Sequence, residues 1–216
     1  MNTKQIIDDF DEYGDEISKK LSASHWRPYF LIKEKFSRNE IDSEFIASFS
    51  AFYVMNGPMG LNDTQKNEFF RLLSSKENDL EKVLKSLYEI LGYGGTHKLF
   101  LSFGTKLLHT IDNNLPIYDR NIASVLELTN QAIGTIEERI KNRIDIYIEL
   151  KNNFVLLLKD QTVIDFLQDM RKEIHKESAQ NNFEWKNSLV SDVKLLDSSL
   201  WALYTTRKEL EENQKS

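Results

Sequence analysis

Apolar side chains recur every three or four positions along most of the chain, with polar residues between them. This spacing places the apolar side chains on one face of a helix. We predict helices over residues 3–22, from Trp26 onwards, and over 42–55, 62–73, 77–91, 97–111, 119–128, 132–158, 162–175 and 182–211. Pro28 is expected near the first turn of the second helix, where proline is tolerated. No segment alternates as paired strands do, so the pattern predicts an all-α fold.

Turn-forming residues mark the breaks between these helices. Asn56-Gly-Pro-Met-Gly60 predicts a turn, and Gly92-Tyr-Gly-Gly95 stops a helix abruptly. The 216 residues fit one large domain or two small helical lobes that share an interface. We expect a single two-lobed domain over 1–216, in which residues 40–128 form the central lobe and residues 1–39 with 129–216 form the second lobe.

The composition excludes several classes of site. The chain has no cysteine, which excludes disulfides, thiolate metal sites and thiol nucleophiles and is typical of a reducing cytoplasm. The four histidines have no paired spacing, so we expect neither a metal nor another cofactor. The polar, acidic N-terminus lacks a signal core, and no apolar run is long enough for a bilayer. We therefore expect a cytoplasmic protein without a membrane partner.

Charge is distributed unevenly along the chain. Acidic residues outnumber basic ones 34 to 28, for a net charge of −6, which argues against a non-specific nucleic-acid coat protein. Residues 90–111, in contrast, contain two lysines, two histidines and no acid, together with four of the eight glycines. Glycine lets backbone N–H groups approach an anion, and a helix beginning after the cluster would direct its positive end there. The alternative is that these glycines only end one helix and turn into the next.

Asp119 follows Pro116 at the predicted start of a short helix. An ordinary N-cap would explain an aspartate at this position. The run Pro116-Ile-Tyr-Asp119-Arg-Asn-Ile-Ala-Ser-Val-Leu126 also resembles the segment of helix-hairpin-helix DNA glycosylases that carries the catalytic aspartate. Ser102-Phe-Gly-Thr-Lys106 resembles the end of that family's glycine hairpin, which a lysine nucleophile follows in some members. Alternatively, the hairpin is Gly92–Gly95 and Lys98 takes the lysine role.

The resemblance implies a base-excising DNA glycosylase of helix-hairpin-helix type. Asp119 would stabilise positive charge on the sugar and activate water, or would activate the amine of Lys106. The partner would be double-stranded DNA with one nucleotide flipped out, and an abasic site would remain. The residues expected to contact DNA are Gly92, Gly94, Gly95, Thr96, His97, Lys98, Gly104 and Thr105. The residues expected to line the base pocket are Trp26, Tyr29, Tyr118, Asp197 and Trp201.

Two further expectations concern the substrate and the functional class of the protein. The segment from Val193 to Trp201, with the Asp119 and Lys106 elements, resembles bacterial proteins of mobile and phage-defence loci. This likeness implies antiviral defence and a modified base, such as a modified phage cytosine, as substrate. Each aromatic residue assigned to the base pocket has an alternative role in the helical core. The rival hypothesis is a non-catalytic helical interaction module of a bacterial defence system, which the acidic charge and the long closing helix favour.

Overall fold

The regular structure of the chain is helical. The computed structural model describes residues 3–129, 133–180 and 184–213. Within these ranges there are ten α-helices and two single-turn 3₁₀ segments, and no strand, which confirms the all-α prediction. The helices are α1 (Thr3–Lys20), α2 (Ala23–Ser37), α3 (Ser43–Phe52), α4 (Asp63–Ser74), α5 (Leu80–Tyr88), α6 (Leu101–Ile111), α7 (Arg120–Val125), α8 (Ile136–Leu157), α9 (Gln161–Gln180) and α10 (Asp192–Asn213).

Polar side chains set the starts of several helices. Asp42 accepts a hydrogen bond from the Phe45 amide and caps α3. Asn62 and Gln65 form a reciprocal capping box at the start of α4. Asp79 accepts from two backbone amides and caps α5, which is why this helix begins at Leu80 and not at the predicted residue 77.

Other predicted features of the helices are also wrong. The closing helix, predicted from residue 182, begins only at Asp192. The helix predicted from His97 begins only at Leu101, because residues 96–100 have no helical hydrogen bonds. The periodicity continued across this extended stretch, which hid the true start. Pro28 lies inside α2 and not in its first turn, since that helix begins at Ala23.

The chain divides into two compact units. Unit 1 comprises Met1–Arg27, Tyr118–Thr129 and Ile146–Ser216, and unit 2 comprises Pro28–Ile117 and Asn130–Asp145. The expected central lobe, 40–128, covers most of unit 2. It also includes the helix that follows Asp119, which the structure groups with unit 1.

In unit 1, α10 lies against α1, α7 and α9. Leucines of α10 are buried in this unit, as are the apolar side chains Ile6, Phe10 and Ile17 of α1. Phe10 also stacks on Phe166 of α9, with ring centroids 4.7 Å apart. The helix α7 is short, and its position depends on this packing because six residues alone do not form a stable helix.

In unit 2, α4, α5 and α6 pack on one another. Four phenylalanines, Phe45, Phe49, Phe69 and Phe70, form a contiguous aromatic cluster between α3 and α4. Gly104 lets α6 approach α5 closely, since a Cβ atom there would lie 2.9 Å from Leu80 Cδ1. Across the described ranges, none of the helices combines the length and apolar character that crossing a bilayer requires.

Candidate functional site

A cavity of about 320 Å³ lies in unit 2. We call it the basic cavity; its lining residues are Met59, His97, Lys98, Leu99, Phe100, Arg139 and Arg143. No carboxylate is among these described residues. His97 and Lys98 come from the acid-free segment in which phosphate contacts were expected, and the structure brings them together with two arginines of α8.

The two arginines occupy one face of α8. Arg139 and Arg143 are four positions apart, so their side chains lie above one another on the helix. Arg143 is buried and donates from Nη1 to Asn142 Oδ1 over 3.1 Å. Among the described residues, neither Lys98 nor Arg139 forms an ion pair with a carboxylate.

The acid that precedes Arg139 is engaged elsewhere. Glu138 accepts a hydrogen bond from the Thr135 amide over 2.8 Å, and the Thr135 hydroxyl accepts from the Glu138 amide. This reciprocal pair caps the start of α8. The sequence suggests that residues 137–139 form only a solvated face, but the structure places Arg139 in the wall of the basic cavity.

His97 is held in a defined orientation. Its Nδ1 lies 2.6 Å from the carbonyl oxygen of Tyr88, so this nitrogen carries the proton and donates. Its ring also packs on the Tyr88 ring, with centroids 5.1 Å apart. The neutral ring therefore presents Nε2 as its acceptor.

The glycine segment forms an exposed turn. Gly94 and Gly95 have φ values of +75° and +67°, a conformation that glycine adopts without strain. The Gly92 amide donates to the Thr96 carbonyl, and the Gly95 amide donates to the Gly92 carbonyl. A Cβ atom at Gly94 or Gly95 would meet no heavy atom within 4 Å, so the space beside these two glycines is open.

The hairpin expected over residues 102–106 is absent, which corrects that prediction. Gly104 and Thr105 are buried inside α6. The Gly104 amide donates to Phe100, and the Thr105 hydroxyl donates to Leu101, so neither donor is presented to a phosphate. Gly104 serves the close packing of α6 on α5, and this function needs no ligand.

Lys106 is also buried on α6, in unit 2. Its ammonium donates to the Tyr53 carbonyl over 3.2 Å and lies 5.0 Å from the centre of the Phe103 ring. Cation–π contact and the carbonyl hydrogen bond both stabilise the charged amine here. Asp119, its expected partner in catalysis, belongs to unit 1.

Asp119 is the N-cap of α7, which confirms the capping prediction. Its Oδ1 accepts from the Asn121 amide over 2.8 Å. The residue is partly exposed, and within the described chain no hydrogen bond or ion pair engages its Oδ2. One carboxylate oxygen is thus used by the helix, while the other can accept a further partner.

Two of the five residues expected in the base pocket are core residues, which corrects that part of the prediction. Trp26 is fully buried in unit 1, where its Nε1 donates to Leu21 and its ring meets Trp185 edge-on. Tyr29 is fully buried in unit 2, and its hydroxyl lies 3.1 Å from His109 Nε2. A flipped base needs an accessible ring face, and neither side chain has one.

The other three candidate base-pocket residues lie in unit 1, and one of them, Asp197, belongs to a buried ion pair. Asp197 is 2.6 Å from the Lys194 ammonium, and both side chains are buried. Trp201 is 38% exposed and lies beside the His25 ring. Burial lowers the pKa of His25 to about 3, and the positive charge of Lys194 adds to this effect. Tyr118, the third residue, is partly exposed.

No described group of three or more His, Asp or Glu side chains is arranged to hold a metal ion.

The arginines of the basic cavity were missed because only their four-residue spacing marks them in the sequence. Their distance along the chain from Lys98 concealed the cluster.

No protein-family model, no curated protein and no solved structure matches this chain.

Proposed function

We propose that this protein binds DNA and hydrolyses the N-glycosidic bond of a damaged or modified base, as a helix-hairpin-helix DNA glycosylase does. The observation that most supports DNA binding is the basic cavity. An acidic protein must concentrate positive charge locally to hold a phosphate backbone. Lys98, Arg139 and Arg143 do so without a carboxylate among the other lining residues.

The phosphate contact would use two kinds of donor. Arginine guanidinium groups bind phosphate oxygens in pairs, and lysine adds a point charge. The exposed turn at Gly94 and Gly95 leaves room for a bulky nucleic acid to approach. These contacts fix the position of a DNA backbone but carry no base specificity.

In the proposed reaction, Asp119 acts through its carboxylate. As the bond between the sugar C1′ and the base nitrogen breaks, the base takes the bonding electron pair and positive charge develops on the sugar. Asp119 stabilises that charge and accepts a proton from the attacking water, whose oxygen bonds to C1′. The departing base takes up a proton from solvent and Asp119 returns its proton to solvent, so the products are the neutral free base and an abasic site. The Oδ2 atom is suited to this task because Oδ1 already caps α7.

Water, and not Lys106, is the nucleophile in this proposal. The Lys106 ammonium is buried and hydrogen-bonded to Tyr53, whereas a nucleophilic amine must lose its proton and reach the sugar. The enzyme would therefore release the base without nicking the strand. The expected substrate class is a modified base, with modified phage cytosine among the candidates for a role in antiviral defence.

Base release tests this proposal directly. Duplex DNAs that carry different modified bases are incubated with the protein, and abasic sites are revealed by alkaline cleavage. We expect cleavage of at least one substrate, and a rate roughly a hundredfold or more lower in Asp119→Asn. Asparagine can still cap α7, so the fold should survive.

A matched control is Asp79→Asn. Asp79 caps α5 through the same kind of contact, but it lies in unit 2. Its replacement should leave base release unchanged. Full activity of Asp119→Asn on a cleaved substrate would contradict the proposal.

The non-catalytic interaction module remains a second candidate because of one surface. Ile148, Val155 and Leu156 of α8 are each about half exposed in unit 1. Exposed apolar side chains on one helix are typical of a protein-binding face. This module would show no base release on any DNA and would lose its protein partner in Val155→Asp.

A further inference from the structure

The basic cavity is larger than a phosphate contact requires. Its volume of about 320 Å³ is at the lower end of the range for pockets that enclose small organic ligands. A bare phosphate would fill only part of this space. The remaining wall would then stay in contact with water.

The cationic part of the wall calls for an anion. Arg139 and Arg143 carry like charges at positions i and i+4 of one helix face, an arrangement that is unfavourable for the helix. Lys98 adds a third positive charge. A phosphate group offsets this repulsion and matches the planar arrangement of guanidinium donors.

The start of α6 lies next to the wall of the cavity. This eleven-residue helix begins at Leu101, directly after the lining residue Phe100. Phe100 is the N-cap and makes no side-chain capping bond. The amides of the first turn are therefore not capped by a side chain, which favours an anion near this helix end.

The remaining part of the wall is apolar. Met59, Leu99 and Phe100 contribute carbon surface beside the cations. Met59 is 83% exposed, so its side chain is available to a ligand that enters the cavity. Since His97 is fixed by its bond to Tyr88, its Nε2 adds one oriented acceptor.

The backbone around Met59 forms a tight, hydrogen-bonded turn. The Gly60 amide donates to Gly57, and the Leu61 amide donates to Met55. A Cβ atom at Gly60 would lie 1.9 Å from the Met55 carbonyl oxygen, so only glycine fits at this position. The tight turn keeps Met59 at the cavity instead of letting it fold into the core.

We infer that the basic cavity holds a nucleotide unit, with the phosphate on Lys98 and Arg139 and the flat base against Met59 and Leu99. This inference rests on the proposed function, in which the same cavity binds the DNA backbone. It adds that the cavity binds the base as well as the phosphate. A free 5′-mononucleotide is therefore expected to bind without the rest of a DNA strand.

Calorimetric titration of the full chain tests this inference. Three ligands are compared: deoxycytidine 5′-monophosphate, deoxycytidine and inorganic phosphate. We expect the monophosphate to bind at least tenfold more tightly than either of the others. Arg139→Gln should weaken the monophosphate and inorganic phosphate at least tenfold, while Met59→Ser should weaken only the monophosphate, by several fold.

Arg38→Gln is the matched control. Arg38 is exposed in unit 2 and pairs with Glu40, so its replacement removes one charge without touching the cavity. It should leave all affinities unchanged. Equal affinities for monophosphate and inorganic phosphate would overturn the inference, as would a failure of the monophosphate to bind or an unaltered affinity in Arg139→Gln.

The outcomes separate this inference from the proposed function. Monophosphate binding with no base release on any DNA would support the nucleotide site and contradict the glycosylase proposal. Base release that depends on Asp119, without monophosphate binding, would support the glycosylase and overturn the nucleotide site.

Discussion

Asp119 serves its helix with one oxygen, and this has a measurable consequence for stability. The Oδ1 atom caps α7, whose six residues depend on tertiary packing and on this cap. We expect Asp119→Ala to lower the free energy of unfolding by about 1 kcal/mol, and Asp119→Asn to change it by less than about 0.5 kcal/mol. Urea unfolding measures both values. If asparagine were as destabilising as alanine, loss of activity in Asp119→Asn could not be assigned to chemistry.

His25 should make stability depend on pH. Its pKa is lowered from 6.5 to about 3 in the folded chain, mainly by burial and secondarily by Lys194. Between these two values the unfolded chain binds more protons than the folded chain, so acidification favours unfolding. The free energy of unfolding is therefore not reduced by His25 well above pH 6.5. It decreases as the pH falls towards 3, by about 3 kcal/mol between pH 7 and pH 4.

The comparison with His25→Gln isolates this effect. All other titrating groups are shared, so the difference between the two unfolding free energies reports on His25. We expect the variant to lose less stability than the wild type between pH 7 and pH 4. Parallel pH profiles would show that His25 titrates normally.

Single residues also show where sequence reasoning succeeds. The capping role of Asp119 could be predicted because its partner is two residues away. The burial of Trp26 and Tyr29 could not be predicted, since it depends on Trp185 and His109, which are far along the chain. Local contacts leave a local signature, whereas distant ones do not.

Among the elements, the start of α4 links two parts of unit 2. Asn62 accepts from the Gln65 amide and donates from its side chain to the Leu91 carbonyl, just before the glycine turn. Gln65 donates to the Ile90 carbonyl. These side chains therefore hold the end of α5 against the start of α4.

Two substitutions separate these roles. Asn62→Asp keeps the capping oxygen but removes the donor to Leu91, while Asn62→Ala removes both. We expect Asn62→Ala to cost about 1–2 kcal/mol of unfolding free energy and Asn62→Asp to cost less. Both should speed hydrogen exchange over residues 91–96. Unchanged exchange in both variants would show that Asn62 does not anchor the turn.

Helix existence could be predicted from periodicity, but helix ends could not always be. The cap at Asp79 was not recognised inside a run of helical period, and the start of α6 at Leu101 lies beyond five non-helical residues whose side chains continue the pattern. Gly104 illustrates the same difficulty. Within the acid-free segment it suggests a phosphate hairpin, yet helix packing against Leu80 explains it.

At the scale of the whole molecule, net charge and local charge point in opposite directions. The chain carries −6, yet the basic cavity has three cationic side chains and no carboxylate in its described wall. The sequence indicated the contribution of Lys98 from its acid-free surroundings. It could not indicate Arg139 and Arg143, because only folding brings α8 to the residues around Lys98.

The most direct test of phosphate binding by the basic cavity is the salt dependence of DNA affinity. Fluorescence anisotropy with duplex DNA is measured at several salt concentrations for wild type, Lys98→Glu and Lys85→Glu. Lys85 is exposed, pairs with Glu81 and provides the same change of charge in unit 2. We expect Lys98→Glu to lower affinity at least tenfold and to reduce the slope of log K against log salt by about 1 or more, with little effect of Lys85→Glu. Equal affinities and slopes for Lys98→Glu and wild type would contradict phosphate binding in the basic cavity.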